Sequence, residues 1–190
     1  MGGRTRLEYS EVFYWMVDHL YDNYMDTMTD ISRWSNYAQV FADSTYAISK
    51  KAPRCIGFID GTFRSHCRPS VDQGSCYNGH EKDHGIKFQS VILPNGLIGD
   101  FWGPCVGRRG DGYMFRRSDL LTRMARLCNR AGSIYYLWGD PAYPLSRYVL
   151  RGYKGAMSPA EQELSTAMSA VPSVRLPAPP GHPHKMSPIS

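Results

Sequence analysis

Two apolar runs, GIKFQSVIL at 85–93 and LIGDFWGPCV at 97–106, flank Pro94-Asn95-Gly96. A turn in which Asn-Gly supplies positive backbone angles folds such runs back on each other as an antiparallel hairpin. A third run, CIGFID at 55–60, is apolar without alternation and is bounded by turn signals on both sides. It reads as a buried strand that delivers Asp60 to its carboxyl end, before a Gly61-Thr62 turn. After the hairpin, Phe115, Leu120, Leu121, Met124, Leu127 and Cys128 fall on one helical face, which ends at 129–132. SIYYLWGD is then a fourth strand with Asp140 at its end. Ser158-Pro159-Ala160-Glu161 opens a further helix, with Ser as cap, Pro at the first position and Glu closing a capping box, and Leu164, Met168 and Val171 continue it.

Upstream of the first strand the period is helical. Val12, Met16, Leu20, Tyr24 and Met28, with Phe13, Val17 and Tyr21 beside them, predict a packing helix over residues 7–28 with a broad buried face. Tyr37, Val40, Phe41 and Ile48 allow a second helix from Trp34 to Lys50, stopped by Pro53. At Pro172 the period vanishes: six of the last 19 residues are proline and none is acidic, so 172–190 is expected to be a disordered tail. The chain therefore divides into a helical segment, 1–52, a domain of strands and helices, 53–171, and that tail. At 190 residues it is of ordinary single-domain size. Lys and Arg exceed Asp and Glu by 22 to 17, which favours an anionic partner. The five cysteines, odd in number and without CxxC spacing, read as reduced thiols. No uncharged apolar run long enough to cross a bilayer is present, no apolar leader opens the chain, and a soluble protein is expected.

Strand, hairpin, helix, strand and helix is the order of an RNase H-like α/β domain with a mixed sheet. In that arrangement the first and fourth strands lie side by side, and Asp60 and Asp140 come close enough to share a hard cation such as Mg²⁺ or Mn²⁺. Asp111, in GRRGDGYMF, enters from the loop before the helix. Two such cations, roughly 3.5–4 Å apart, stabilise the attacking and leaving oxygens of a phosphodiester and make hydroxide from bound water. Each aspartate also has a plainer reading: Asp60 and Asp140 as turn residues bonding their own backbone, Asp111 as a solvated ion-pair partner. Arg108, Arg109, Arg116, Arg117, Arg123, Arg126 and Arg130 follow the hairpin closely and either flank a phosphate backbone or form a solvated helix face. Cys67, Cys76, His80 and His84 are zinc-type residues, but their spacing makes no compact knuckle.

From about Pro53 to Val171 the chain resembles the DDE-superfamily endonuclease domain of PIF/Harbinger-type transposases and of host proteins derived from them. The matching words are CIGFIDGTFR, CRPS, Gln73 followed by YNGHEKDHGIKFQSVILPNGLIGDFWGP, the GRR-x-D loop and GDPAYPL. The resemblance implies Asp60, Asp111 and Asp140 as ligands of Mg²⁺ or Mn²⁺ in a nuclease that nicks DNA and joins ends. It implies a nuclear setting and a separate Myb/SANT-like DNA-binding partner protein. Two departures stand out. Gly110 replaces the histidine usual before the second aspartate, and no carboxylate follows Glu163. Family members carry a final glutamate within roughly two helical turns of Val171. Here Pro172 intervenes, which reads as a frameshift, mis-splicing or decay, with cleavage weakened or lost and a catalytically silent binding protein as the alternative. Residues 1–50 hold no clear helix-turn-helix, so the chain is expected to be a fragment.

Overall fold

The computed structural model of the protein describes residues 5–152 and 157–169. Two helices lead: α1 (Arg6–Thr29), then a 3₁₀ segment (Ile31–Tyr37) running into α2 (Ala38–Ser49). The strands are β1 (Cys55–Ser65), β2 (Tyr77–Asn78), β3 (Asp83–Ile92), β4 (Ile98–Val106), β5 (Tyr136–Gly139) and β6 (Val149–Arg151). Between them lie α3 (Gln73–Cys76), α4 (Asp111–Arg117) and α5 (Leu120–Ala131), and α6 (Pro159–Ser169) follows.

One mixed sheet holds all six strands. β3 pairs antiparallel with β1 on one side and with β4 and the short β2 on the other, while β5 runs parallel to β1 and β6 parallel to β5. The expected hairpin is β3–β4, closed by Leu93 N–H donating to Leu97 O and Gly96 N–H to Leu93 O. Of Asn95 and Gly96 only Gly96 takes a positive φ, 83°. The turn thus uses one left-handed residue rather than the two expected of Asn-Gly, a geometry that a longer hairpin loop permits.

Both faces of β1 are covered, and for that reason Cys55–Ile59 is apolar without alternation and wholly buried. Ile56 and Ile59 join Leu137, Val91, Met124 and Leu127 in the main core. Cys55 and Phe58 meet Ala52 and Met168 of α6 in a second cluster. An irregularity in the β1–β5 pairing between Cys55 and Gly57 lets neighbouring residues divide between clusters in this way. Burial pushes the Cys55 thiol up to about 12, which removes it as a nucleophile.

Several expectations need correction. CIGFID is the first half of an 11-residue strand: Gly61–Ser65 continue it against β3, so Asp60 sits mid-strand and Gly61-Thr62 is no turn. Only the pairing with β5 stops there, at Ile59 opposite Gly139. The single helix around Phe115–Cys128 is two, α4 and α5, parted where Asp119 adopts φ 53°. The Glu161 box forms as expected, its carboxylate accepting from Ser158 N–H at 2.8 Å. Val171 and the Pro172 tail lie outside the described residues. α1 forms with a Thr5–Glu8 capping box, but none of its residues is buried: Val12, Met16, Leu20, Tyr24 and Phe13 all stay exposed. Periodicity reports that a helix has an apolar side, not that a surface is at hand to cover it, and only the carboxyl end of α1 finds one, beside Trp34 and Leu97.

The seven arginines after the hairpin do not act as a group. Arg123 donates to both oxygens of Asp100 in β4, at 2.6 and 2.8 Å, with the Asp100 side chain 1% exposed. Arg126 faces Asp30 at 3.6 Å and Arg130 donates to Ser32 Oγ at 3.1 Å, which fastens α5 to the 3₁₀ segment. Burial raises the Asp100 carboxyl above its ordinary range, with Arg123 opposing that shift. The folded chain therefore keeps the Asp100 proton at pH values where the unfolded chain has released it, and raising pH through that interval costs stability. Arg123→Met, which strands the carboxylate, is expected to destabilise the fold by about 3–5 kcal/mol at neutral pH. The loss should shrink as the pH is lowered and Asp100 takes up its proton, as urea denaturation at several pH values would show.

Candidate active site

Where β5 ends, the chain turns away from β1 and leaves a cleft. Ile59 and Gly139 are paired in register, so Asp60 and Asp140 are the next residues on two parallel neighbours. Gly139 is required there, because a Cβ would stand 2.9 Å from Ile59 Cγ2 and 3.2 Å from the Tyr143 ring. Asp111 arrives from a third direction, in the first turn of α4 after the Gly110 cap. All three aspartates line one open cleft of about 770 Å³, with Arg108 and Arg109 on the same wall. The structure thus brings Asp60, Asp111, Asp140, Arg108 and Arg109 together. Arg116 and Arg117 are exposed on α4 and are not among the residues that line it.

Local bonding sets each carboxylate. Asp60 Oδ1 accepts from Gly61 N–H at 2.8 Å. Asp140 Oδ1 accepts from Ala142 N–H at 2.5 Å, and Tyr143 N–H donates to Asp140 O. The turn role foreseen for these residues is therefore real for Asp140, and it coexists with a place on the cleft. The Asp111 carboxylate lies so close over Gly61 that a Cβ there would collide with Oδ1 and stand 2.8 Å from Cγ. Its partner is Lys87, Nζ to Oδ1 at 2.5 Å, with the two side chains 11% and 21% exposed. Asp111 is thus an ion-pair partner, as its plainer reading held, but a half-buried one.

Below the aspartates is Tyr143, fully buried, with its ring edge-on to Phe115 at 5.9 Å. Its hydroxyl has no hydrogen-bond partner among the described residues. Burial first, then the fields of Asp111, Asp60 and Asp140, push its phenol far up, so that it stays protonated.

Lys87, Glu81, His80 and Asn78 also line the cleft. Of these only His80 stood out in the sequence, and then as a zinc-type residue. His80 and Glu81 sit on a turn whose N–H groups donate to Asn78 Oδ1 at 2.9 and 3.2 Å. A signal for Lys87 was available: a lysine inside the apolar strand GIKFQSVIL is costly to bury without a carboxylate partner. Among the described residues no three His, Cys, Asp or Glu side chains form a ready-made metal group, and this includes the zinc-type residues around His84. The donor chemistry of the lining nevertheless suits a hard cation: Asp60, Asp111, Asp140 and Glu81 offer carboxylate oxygens and no sulfur is among them.

A sequence profile described as DDE superfamily endonuclease matches residues 59–174. That span is more than half of the chain and includes all three aspartates, so the chain belongs to this family of endonucleases. No curated protein and no solved structure matches it. The mixed α/β sheet described above is consistent with such a nuclease domain. At family level the domain is a transposase-derived nuclease whose substrate is DNA, and no helix among the described residues is long and apolar enough to cross a membrane.

The contact between Gly61 and Asp111 can be tested by a double-mutant cycle. Gly61→Ala is expected to cost about 1–3 kcal/mol through overpacking, and Asp111→Ala, which removes the atoms it strikes, should recover most of that loss in the double variant. Chemical denaturation of the four proteins gives the answer.

Proposed function

We propose that the cleft is the active site of a divalent-metal-dependent DNA endonuclease of the PIF/Harbinger type, built on an RNase H-like domain. The observation that carries this reading is the register Ile59–Gly139, after which Asp60 continues β1 and Asp140 directly follows β5, with Asp111 lining the same cleft. The sheet order β4–β3–β1–β5–β6, with β3 the only strand antiparallel to both its neighbours on that path, supports the RNase H-like assignment. Asp60, Asp111 and Asp140 would hold Mg²⁺ or Mn²⁺, which supplies Lewis-acid stabilisation of a phosphodiester and a bound water of lowered pKa. The chain's own part is to fix the carboxylates through the Gly61 and Ala142 N–H groups and to offer Arg108 and Arg109 to the phosphate backbone. Arg109 is braced over the Tyr113 ring at 4.6 Å.

Residues 53–171 form the nuclease unit in this reading, with 1–52 a helical lead and 172–190 an appended tail. The protein works in the nucleus, with a Myb/SANT-like partner to direct it to DNA. Cleavage by these residues is weak, because the three aspartates lack the final glutamate. A second reading, a silent DNA- or protein-binding domain, is favoured by one observation: Asp111 is already neutralised by Lys87.

Nicking of supercoiled plasmid in Mn²⁺ separates the two. Slow nicking that disappears in Asp60→Asn is expected. An untouched plasmid would leave the silent reading, and nicking that survives the substitution would point to a contaminant. For the backbone interaction, Arg108→Ala with Arg109→Ala should weaken duplex binding equally for all sequences. The slope of log K against log salt should flatten by about 0.9 for each phosphate that the protein no longer neutralises. An unchanged slope would remove both arginines from the interface.

A further inference from the structure

Of the three cations on the cleft, Arg108 and Arg109 are exposed at its rim, and Lys87 lies on its floor. Lys87 extends from the middle of β3, opposite Phe63 of β1, with its Nζ on Asp111 Oδ1 at 2.5 Å. Asp111 has little freedom to retreat, since its carboxylate is pressed over Gly61 and its backbone begins α4. That helix is in turn tied to β3, because the Gln89 side-chain amide donates to Ser118 Oγ at 2.9 Å. The ammonium and a divalent cation would share one carboxylate, and two cations so close repel each other strongly in a half-buried site. A phosphodiester removes the conflict, because it gives the ammonium a second anion within reach of a lysine stem.

We propose that Lys87 is the resident cation of this cleft: it stands on Asp111 in the free protein and passes to the phosphodiester when DNA enters, which frees Asp111 for the metal. Lys87 is thereby a positioning residue that couples cation binding to DNA binding, and the coupling is reciprocal. This rests on the cation-binding reading of the three aspartates. It differs from a clamp that merely joins β3 to α4. Removal of a clamp loosens Asp111 and weakens metal binding, whereas removal of a resident cation strengthens it.

The test is Mn²⁺ titration of the full chain, followed by the electron paramagnetic resonance of free Mn²⁺, with and without a short DNA duplex. In the wild type the duplex is expected to tighten Mn²⁺ binding about tenfold. Lys87→Met and Lys87→Gln, each checked for an unchanged circular dichroism spectrum, should bind Mn²⁺ about tenfold more tightly than wild type without DNA and gain little from the duplex. Variants that bind Mn²⁺ no better than wild type, or a wild type that gains nothing from DNA, would overturn the assignment. Should neither variant fold, the wild-type comparison alone still decides. Asp60→Asn separates this inference from the reading beneath it. If Mn²⁺ binding survives Asp60→Asn, the cleft is not the metal site and the proposed function falls. If it is lost there while the Lys87 variants match wild type, only the role of Lys87 falls.

Discussion

The parallel pairing of β1 with β5 ends at Ile59 and Gly139, and the strands part with an aspartate at the next position on each. Peptide groups in register fix that proximity, and side-chain packing then holds the register: Leu137 and Ile59 in one cluster, Trp138 and Phe58 in the other. A slip of one residue would carry these side chains to the wrong faces and move one carboxylate away from the other. Asp111 depends on the same strand, because the bare Cα of Gly61 gives its carboxylate room.

Charge is arranged on two levels. Inside the fold, Arg123 meets Asp100, Arg126 meets Asp30 and Arg130 meets Ser32, so that three basic side chains of α5 serve to hold β4 and the 3₁₀ segment. At the cleft, the carboxylates of Asp60, Glu81, Asp111 and Asp140 stand with Lys87, Arg108 and Arg109. Beneath them burial first, and the aspartates after it, raise the phenol of Tyr143.

Much of this was legible in the chain. The strands around Asp60, in the hairpin and before Asp140 are apolar runs between turn signals, and α6 announces itself through Ser158 and Glu161. The three aspartates were legible as candidates because each stands beside a glycine next to an apolar run or a basic loop. The length of β1 was not: Gly61 and Thr62 carry turn propensity, but eight ladder partners on β3 override it. Nor was the exposed state of α1, whose period fixes an apolar side without fixing what meets it. β6 escaped notice because three residues are too few for a period.

The sequence by itself determined the succession of the longer strands and helices, the burial of β1 and which aspartates stand as candidates, because these follow from local periodicity, turn chemistry and side-chain type. Only the tertiary structure decided which charges meet. Lys87 and Asp111 are 24 positions apart and Arg123 and Asp100 are 23, and nothing in the local sequence distinguishes the arginines that face the cleft from those that fasten the fold. Pairing at a distance depends on register and helix placement, and those are fixed only when the sheet closes over its core.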